Sequence, residues 1–572
     1  MKLAEAMSLV NTCRHRTGDP FTVFLACGFT VQHAETFLIA HLSQRMVDRK
    51  VSLTSGLYGD LAGSLERFKH NQSDAAAIII EWEDIDPRLG FRNGDAWVAR
   101  HIEDILTTAF RQLERLRAGI ARVAESVPVA VMLPTLPLPP FFTAPLAWCD
   151  RAVLSLQSLV CSFAETVAVL PGIRIVNPYR LACRSHLDHR FDLRSELRWG
   201  FPYAIEHTSS ACELLAELIH PAIPKKGIIT DLDETLWRGI LGEDGIEGIS
   251  WDLDHGSHQH CLYQKMLMSL ADAGILIGVA TKNDPRLVEQ AFKRTDLIIS
   301  PETLFPVESH WGPKSESVDR ILNTWNIGAE SVVFIDDSEM EIAEVKAAFP
   351  QITGLVFPGA PGSGLQNLLE TLRDLCGKAL VSDEDRLRLA SIRQSRHLSA
   401  EISQDRIESF LAQSQAEITL TYNRPDQRAF DLINKTNQFN LNGRRIDESV
   451  WRARNKDPHV FLLSVSYRDK FGPLGTIAVV SGTRDKHIPL VDIWVMSCRA
   501  FSRRIEYQTL RALFDFLDAE TLSLDLAPTV RNGPIREFFD SCGAAHDATY
   551  TRMLRDTFHA NCPQLFAKVL VE

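Results

Sequence analysis

The sequence predicts a multidomain α/β protein in which two doubly wound parallel sheets are followed by a C-terminal α+β region. Three observations carry this expectation. The chain has 572 residues, several times the roughly 100–200 residues of one typical domain. In two successive stretches, short apolar runs alternate with helical patterns, the rhythm of strands joined by crossover helices. A proline- and glycine-rich break then ends that rhythm, and the strands beyond it have an antiparallel character.

In chain order, the first stretch runs from Phe21 to about His220 and offers the strands TVFLACG, AAAIIIEW, VPVAVML and IRIV, with a long helical pattern from Asp95 to Ser126. An open parallel sheet follows from that alternation. The second stretch, Gly227 to about Leu355, repeats it with GIIT, ILIGVAT, LIIS and SVVFID. Phe357 to Gly364 interrupts it, since proline fixes φ and glycine loosens it, and a charged helical stretch runs on to about Gln415. Beyond Ala416 come EITLTY, VFLLSVSY, TIAVVSG and LVDIWVMSC, then a helix over Arg503 to Leu517. The expected organisation is therefore 1–222, 223–378, a helical linker 379–415, and 416–572.

Composition narrows the function classes. Hydrophobic residues are 45% and charged residues 23%, which excludes collagenous, wholly disordered or disulfide-scaffold chains. Acidic residues number 73 against 61 basic ones, a net charge of −12, the wrong sign for a general nucleic-acid binder. The 11 cysteines never stand in C-x-x-C spacing, so reduced thiols in the cytoplasm are expected rather than a zinc ribbon or a disulfide framework. The first residues alternate charged and apolar side chains, so no secretory signal is expected there. The most apolar window, Val127 to Phe142, is broken by Pro128, Pro134, Pro137, Pro139 and Pro140, so no membrane span is expected.

The strongest chemical signal is Gly227-Ile-Ile-Thr-Asp231-Leu-Asp233-Glu-Thr235. An apolar strand ending in carboxylates at i and i+2 projects both from the edge where open α/β sheets bind ligands. Further on, ILIGVA ends in Thr281-Lys282-Asn283-Asp284, Lys314 lies in HWGPKSES, and SVVFI ends in Asp336-Asp337. Asp231 can attack phosphorus and Asp233 can move the proton. Thr281 and Lys314 can hold phosphoryl oxygens, with Thr235, Arg238, Lys282, Asn283 and Asp284 as further substrate-binding candidates. Asp231, Asp233, Asp336 and Asp337 are the candidate ligands of a Mg2+ ion that offsets their mutual repulsion.

In order and spacing, 50, 33 and 22 positions between Asp231, Thr281, Lys314 and Asp336, these blocks resemble the four motifs of the haloacid dehalogenase (HAD) superfamily. Neither gap between the motifs holds a large cap domain, so the site is expected to be open or covered by another part of the chain. More specifically, DLDETLWRGILGEDG (Asp231 to Gly245) and KTNQFNLNGRR (Lys435 to Arg445) resemble the FkbH-like branch of that superfamily. The resemblance extends over nearly the whole chain. It implies an SGNH-hydrolase-like N-terminal domain, a HAD-like doubly wound domain and a C-terminal region like GNAT acyltransferases. It also implies a function in polyketide biosynthesis: taking 1,3-bisphosphoglycerate, removing phosphate, and placing the glyceryl group on the phosphopantetheine thiol of an acyl carrier protein.

Particular residues bear on that implication. A thiol is the natural acceptor for an acyl phosphate, and Cys498 precedes a helix carrying Arg499, Arg503 and Arg504, whose charge favours thiolate. Cys498 is thus either a small core residue or the site of a covalent glyceryl thioester. Lys435, Arg444, Arg445, Arg499, Arg503 and Arg504 are read either as solvated cations or as a docking surface for an acidic carrier, whose binding salt would weaken. Departures from the family also matter. Ala500 to Glu506 lacks the glycine-rich turn that would cradle a coenzyme A pyrophosphate, so acetyl-CoA binding is not expected. Glu234 and Arg238 stand where asparagine and glycine are usual. Ala26-Cys-Gly-Phe-Thr30 lacks a serine nucleophile, so Cys27 is expected to be packing and Asp188-His189 a surface turn. The alternatives to the bifunctional enzyme are a HAD phosphatase of a small phosphoester with structural flanking domains, and a non-enzymatic carrier-binding scaffold.

Overall fold

The computed structural model describes the chain except for residues 70–71, 93–100, 140–144, 146, 360–361, 379–380, 382–384, 386–387, 390–391, 394–407, 409–410, 437, 471, 485–487, 498–499, 502, 530–531 and 547–549. Two compact units emerge: Met1–Ala222 with Ile446–Lys456, and Ile223–Arg445 with Asp457–Glu572.

The first unit is built on five parallel strands: β1 (Pro20–Ala26), β2 (Lys50–Ser55), β3 (Ala75–Ile79), β4 (Val129–Met132) and β5 (Ile173–Ile175), in the order β2-β1-β3-β4-β5. Strands β3 and β4 are short, wholly apolar and buried throughout, as expected where helices cover both faces. Two apolar clusters lie on the two sides, one around Phe37 and Leu215, the other around Leu116 and Val131. The long helical pattern forms the helix Ile102–Ala124; residues 95–100 of the expected span lie outside the described residues. Strand β2, KVSLTS, was not expected from its sequence, because its one buried side chain, Val51, leaves too weak an apolar run. The helix Glu448–Lys456 belongs to this unit, tied by Arg49 to Asp447 (2.9 Å) and Arg174 to Glu448 (3.1 Å).

In the second unit, β6 (Gly227–Thr230), β7 (Leu276–Thr281), β8 (Leu304–Ser309), β9 (Val332–Asp336) and β10 (Thr353–Val356) form a parallel sheet in the order β10-β9-β6-β7-β8. Strands β6, β7 and β9 are entirely buried. Gly227 and Gly278 make room for Trp325: a Cβ on either would lie 2.6 or 2.8 Å from the indole. The expected strand LIIS (297–300) is not one. The Ile298 and Ile299 N–H groups donate to Gln264 Oε1 at 3.1 and 3.2 Å, and the edge strand is β8 instead, whose proline lowers its apparent strand propensity. The helix Ser363–Cys376 follows the expected break. Most of the expected linker helix lies outside the described residues.

The same unit continues with a mixed sheet of β11 (Glu417–Tyr422), β12 (Phe439–Asn440), β13 (Val460–Asp469), β14 (Gly472–Thr483), β15 (Leu490–Met496), β16 (Thr521–Leu524), β17 (Ala545–His546), β18 (Thr551–Leu554) and β19 (Lys568–Val571). The strand order is β17-β18-β16-β15-β14-β13-β11-β19, with β12 paired to β15. Most neighbours are antiparallel, and β11 with β19 and β15 with β16 are parallel. This is the α+β pattern expected, packed around Phe461, Trp494 and Phe514. The helix after β15 begins at Ile505 rather than Arg503, because Arg504 takes a left-handed φ of 58° as its N-cap. Among the described residues no helix is long and apolar enough to cross a membrane.

Candidate phosphoryl-transfer site

Three strand ends of the second sheet bring the predicted motifs together. Asp231 follows β6, Thr281 ends β7 and Asp336 ends β9, all at the carboxyl edge, where a parallel sheet exposes its ligand crevice. Lys314 opens the helix Lys314–Trp325 and reaches back into that crevice. Its ammonium lies 3.0 Å from Asp231 Oδ2 and 2.6 Å from Asp336 Oδ2, with both carboxylates buried. Burial alone would lower the Lys314 pKa, but Asp231 and Asp336 hold it above the ordinary lysine value. The Asp231 carboxyl is pushed up to about 7 by burial and by Asp336, against the pull of Lys314. At the exposed rim, partial burial and the charge of Asp336 raise Asp337.

One carboxylate oxygen from each of Asp231, Asp336 and Asp337 lies within 4.8 Å of the others. Asp231 Oδ1 is buried and has no hydrogen-bond partner among the described residues, while its other oxygen faces Lys314. The Ser338 N–H donates to Asp336 Oδ1 at 3.0 Å. An all-carboxylate oxygen set with one buried oxygen left open is what a hard divalent cation takes, so these three residues fit Mg2+.

Asp233 stands apart from this set. Its Oδ1 accepts from Trp237 Nε1 (2.9 Å) and the Leu241 N–H (3.1 Å), and its Oδ2 accepts from Asn283 Nδ2 (2.9 Å). Those three donors engage both of its oxygens, and among the described residues Asp233 is not one of the three carboxylates grouped closely enough to share an ion. The same Asn283 amide donates to Thr281 Oγ1 at 3.0 Å, so one side chain joins the Asp233 and Thr281 stations.

The remaining predicted residues divide. Thr235 is buried, with its hydroxyl lacking a partner among the described residues. Arg238 donates to the His255 carbonyl at 2.8 Å and so staples the loop after the first motif. Lys282 pairs with Glu341 at 2.8 Å, and Asp284 caps the helix Pro285–Ala291 through the Arg286 N–H; both have structural employment. Sequence reasoning missed Trp237 and Ser338, which orient Asp233 and Asp336. Their only signal was closeness in the chain to a motif aspartate.

Five of the cations expected at a carrier surface have partners within the chain. Arg503 is 8% exposed, near Asp469 and over the Tyr467 ring. Arg445 donates to the Ile433 and Thr436 carbonyls, Arg444 pairs with Asp525, Lys435 with Asp431, and Arg504 with Glu408. Cys498 and Arg499 lie outside the described residues. In the first unit, Cys27 is 2% exposed, its thiol donates to the Phe29 carbonyl, and burial raises its pKa strongly. It is a packing residue. Asp188 and His189 sit on an exposed turn.

No family model matches the chain, and no curated protein matches it. Among solved structures, it is similar to the N-terminal part of the Bacteroides fragilis protein BF1531, which contains a phosphatase domain and was crystallised with Mg. The identity is 18%, with 66% of this chain and 100% of that one covered and a TM-score of 0.54. At that identity the likeness establishes a shared fold. A phospholipase A1 from Streptomyces albidoflavus matches at 11% identity over 36% of this chain and 100% of its own, with a TM-score of 0.25, too low to establish a common fold.

Proposed function

We propose that the chain is a Mg2+-dependent HAD-type phosphatase that is also a glyceryl transferase, acting on 1,3-bisphosphoglycerate and an acyl carrier protein. The observation that carries the phosphatase half is the buried group Asp231, Lys314, Asp336 with Asp337 at its rim. It combines a carboxylate oxygen without a partner, a cation fixed at 2.6 to 3.0 Å, and a separate carboxylate, Asp233, oriented by three donors.

The chemistry runs through this chain's own residues. Asp231 attacks the ester phosphorus as the P–O bond to the alcohol breaks, and Asp233 gives the leaving alkoxide its proton. Water then attacks the aspartyl phosphate, Asp233 takes the proton, and inorganic phosphate leaves. Lys314 and Thr281 hold the phosphoryl oxygens. When bound, Mg2+ would be held by Asp231, Asp336 and Asp337 and would supply charge neutralisation at phosphorus.

The transferase half rests on the resemblance of the Asp231–Gly245 and Lys435–Arg445 segments to FkbH-like proteins. In it, the Cys498 thiolate attacks the acyl carbon of the acyl phosphate, the C–O bond to phosphate breaks, and the thioester passes to the carrier thiol, which loses its proton. The C-terminal region serves as the GNAT-like acyltransferase. The competing reading is a phosphatase for a small phosphoester with structural flanking regions, favoured by the internal pairing of the five cations. Incubation with 1,3-bisphosphoglycerate followed by intact-mass analysis separates the two. A glyceryl or phosphoglyceryl adduct lost in Cys498→Ala supports transfer, whereas phosphate release indifferent to any carrier, with no adduct, supports the phosphatase alone.

A further inference from the structure

The helix Glu339–Ala348, which follows Asp336 and Asp337, carries two acids three residues apart, Glu341 and Glu344, so they share one face. Each reaches the chain neighbour of a motif residue. Glu341 pairs with Lys282, one position after Thr281, at 2.8 Å. Glu344 reaches Ser315, one position after Lys314: both of its oxygens accept from the Ser315 N–H at 3.3 Å, and its Oε1 also accepts from the Ser315 hydroxyl. The segment leaving β9 is thus tied both to the end of β7 and to the start of the lysine helix. The tie to Lys282 is the weaker one, since that lysine is 39% exposed and water screens the pair.

We infer that Glu344 is a positioning residue that fixes Lys314 through the first turn of its helix. The helix Lys314–Trp325 has Pro313 as its N-cap, with no side-chain acceptor, although a first turn leaves N–H groups without intrahelical partners. Glu344 supplies that acceptor from another helix, and its charge suits the positive end of the helix dipole. Lys314 itself sets the demand for such a fixture. Its side chain is 5% exposed, and its ammonium sits 2.6 to 3.0 Å from two buried carboxylates. A shift of about 1 Å at its backbone takes those contacts toward the limit of hydrogen-bond range. Among the described residues the hydrogen bonds of the Glu344 carboxylate go to Ser315, so its influence on the chemistry passes through Lys314. The inference rests on the phosphatase reading above and adds to it a residue outside the four motifs.

The test is steady-state hydrolysis of p-nitrophenyl phosphate with Mg2+ by the full-length protein, paired with amide hydrogen exchange over residues 313–325. Glu344→Ala is expected to lower kcat about tenfold or more and to speed exchange in the first turn of that helix. Glu344→Gln, whose Oε1 still accepts from Ser315, is expected to keep kcat within about threefold of the parent. In a Lys314→Ala background there is no ammonium left to place, and Glu344→Ala is expected to change the residual turnover by no more than about twofold. A merely structural role would move both backgrounds alike. Unchanged kcat in Glu344→Ala, or a fall of the same size in the Lys314→Ala background, overturns the inference. A parent protein that releases no phosphate contradicts the phosphatase reading instead. Exchange then decides for Glu344, as it does if Lys314→Ala has no measurable turnover: first-turn protection unaltered in Glu344→Ala removes the fixture, and its loss upholds it.

Discussion

The two parallel sheets carry acidic groups at equivalent places, the carboxyl ends of central strands, and treat them in opposite ways. Glu81, just past β3, is wholly enclosed and satisfied: its Oε1 accepts from the Thr135 N–H, the Thr135 hydroxyl and the Tyr203 hydroxyl, and its Oε2 from the Leu136 N–H. Asp231, just past β6, is equally buried but keeps one oxygen without a partner among the described residues and meets two further carboxylates and a lysine. A buried acid whose hydrogen bonds are complete fastens a fold, whereas one left incomplete among like charges is held ready for something absent from the chain itself. Burial alone does not separate the two cases. The inventory of partners does.

That contrast can be broken most forcefully at Asp231. Asp231→Asn keeps the shape but removes the proposed nucleophile, and phosphate release is expected to fall by about a thousandfold or more while the thermal transition of the second unit stays within a few degrees. A variant that still turns over would place the chemistry elsewhere. Asn283→Ala removes the amide shared by Asp233 and Thr281, and loss of a hydrogen bond to a charged group predicts a fall of about 10- to 100-fold, chiefly in kcat. An unchanged kcat would show that Asp233 needs no positioning from that side. In the first sheet the expected damage is to stability. Glu81→Ala strands the Thr135 and Tyr203 donors and is expected to cost about 3 kcal/mol by denaturant unfolding, leaving phosphatase kinetics of the folded protein unaltered.

A smaller effect sharpens the same comparison through pH. Asp84, near Glu81 in the first unit, is pushed up to about 8 by burial. Folding thus favours its protonated form, and its stabilising contribution, complete below the unfolded value of about 3.9, is lost as pH rises toward 8. His41 and His207, pushed down to about 4 and about 3 by burial, titrate on the acid side of about 6.5 and leave the higher window to the carboxyls. Stability of the first unit is expected to decline between about pH 6.5 and 8, and Asp84→Asn to shrink that decline. A decline of the same size in the variant would assign it to other groups.

Much of the second parallel sheet was legible because its signals are local. GIIT and SVVFID are apolar runs that end in carboxylates, and a parallel sheet puts such ends on one edge. What sequence reasoning missed depends on distant partners. LIIS has the composition of a strand, yet the Gln264 side chain takes up its N–H groups, and β8 forms from a segment containing proline. The helix Glu448–Lys456 joins the first unit through ion pairs between residues far apart in the chain. Asp233 resembled a metal ligand from its place two residues after Asp231, but its donors Trp237, Leu241 and Asn283 could not be read from that spacing. Lys435, Arg444, Arg445, Arg503 and Arg504 read from the sequence as solvated cations or a docking surface, because most of their acceptors and acids lie elsewhere in the fold.

The central claim is that Asp231, Asp336 and Asp337 share one Mg2+ ion in support of phosphoryl transfer. Calorimetric titration of Mg2+ into the intact chain and into Asp336→Asn tests it directly. The account predicts one site per chain that disappears in the variant together with phosphatase activity. Identical Mg2+ binding by the two proteins would contradict it.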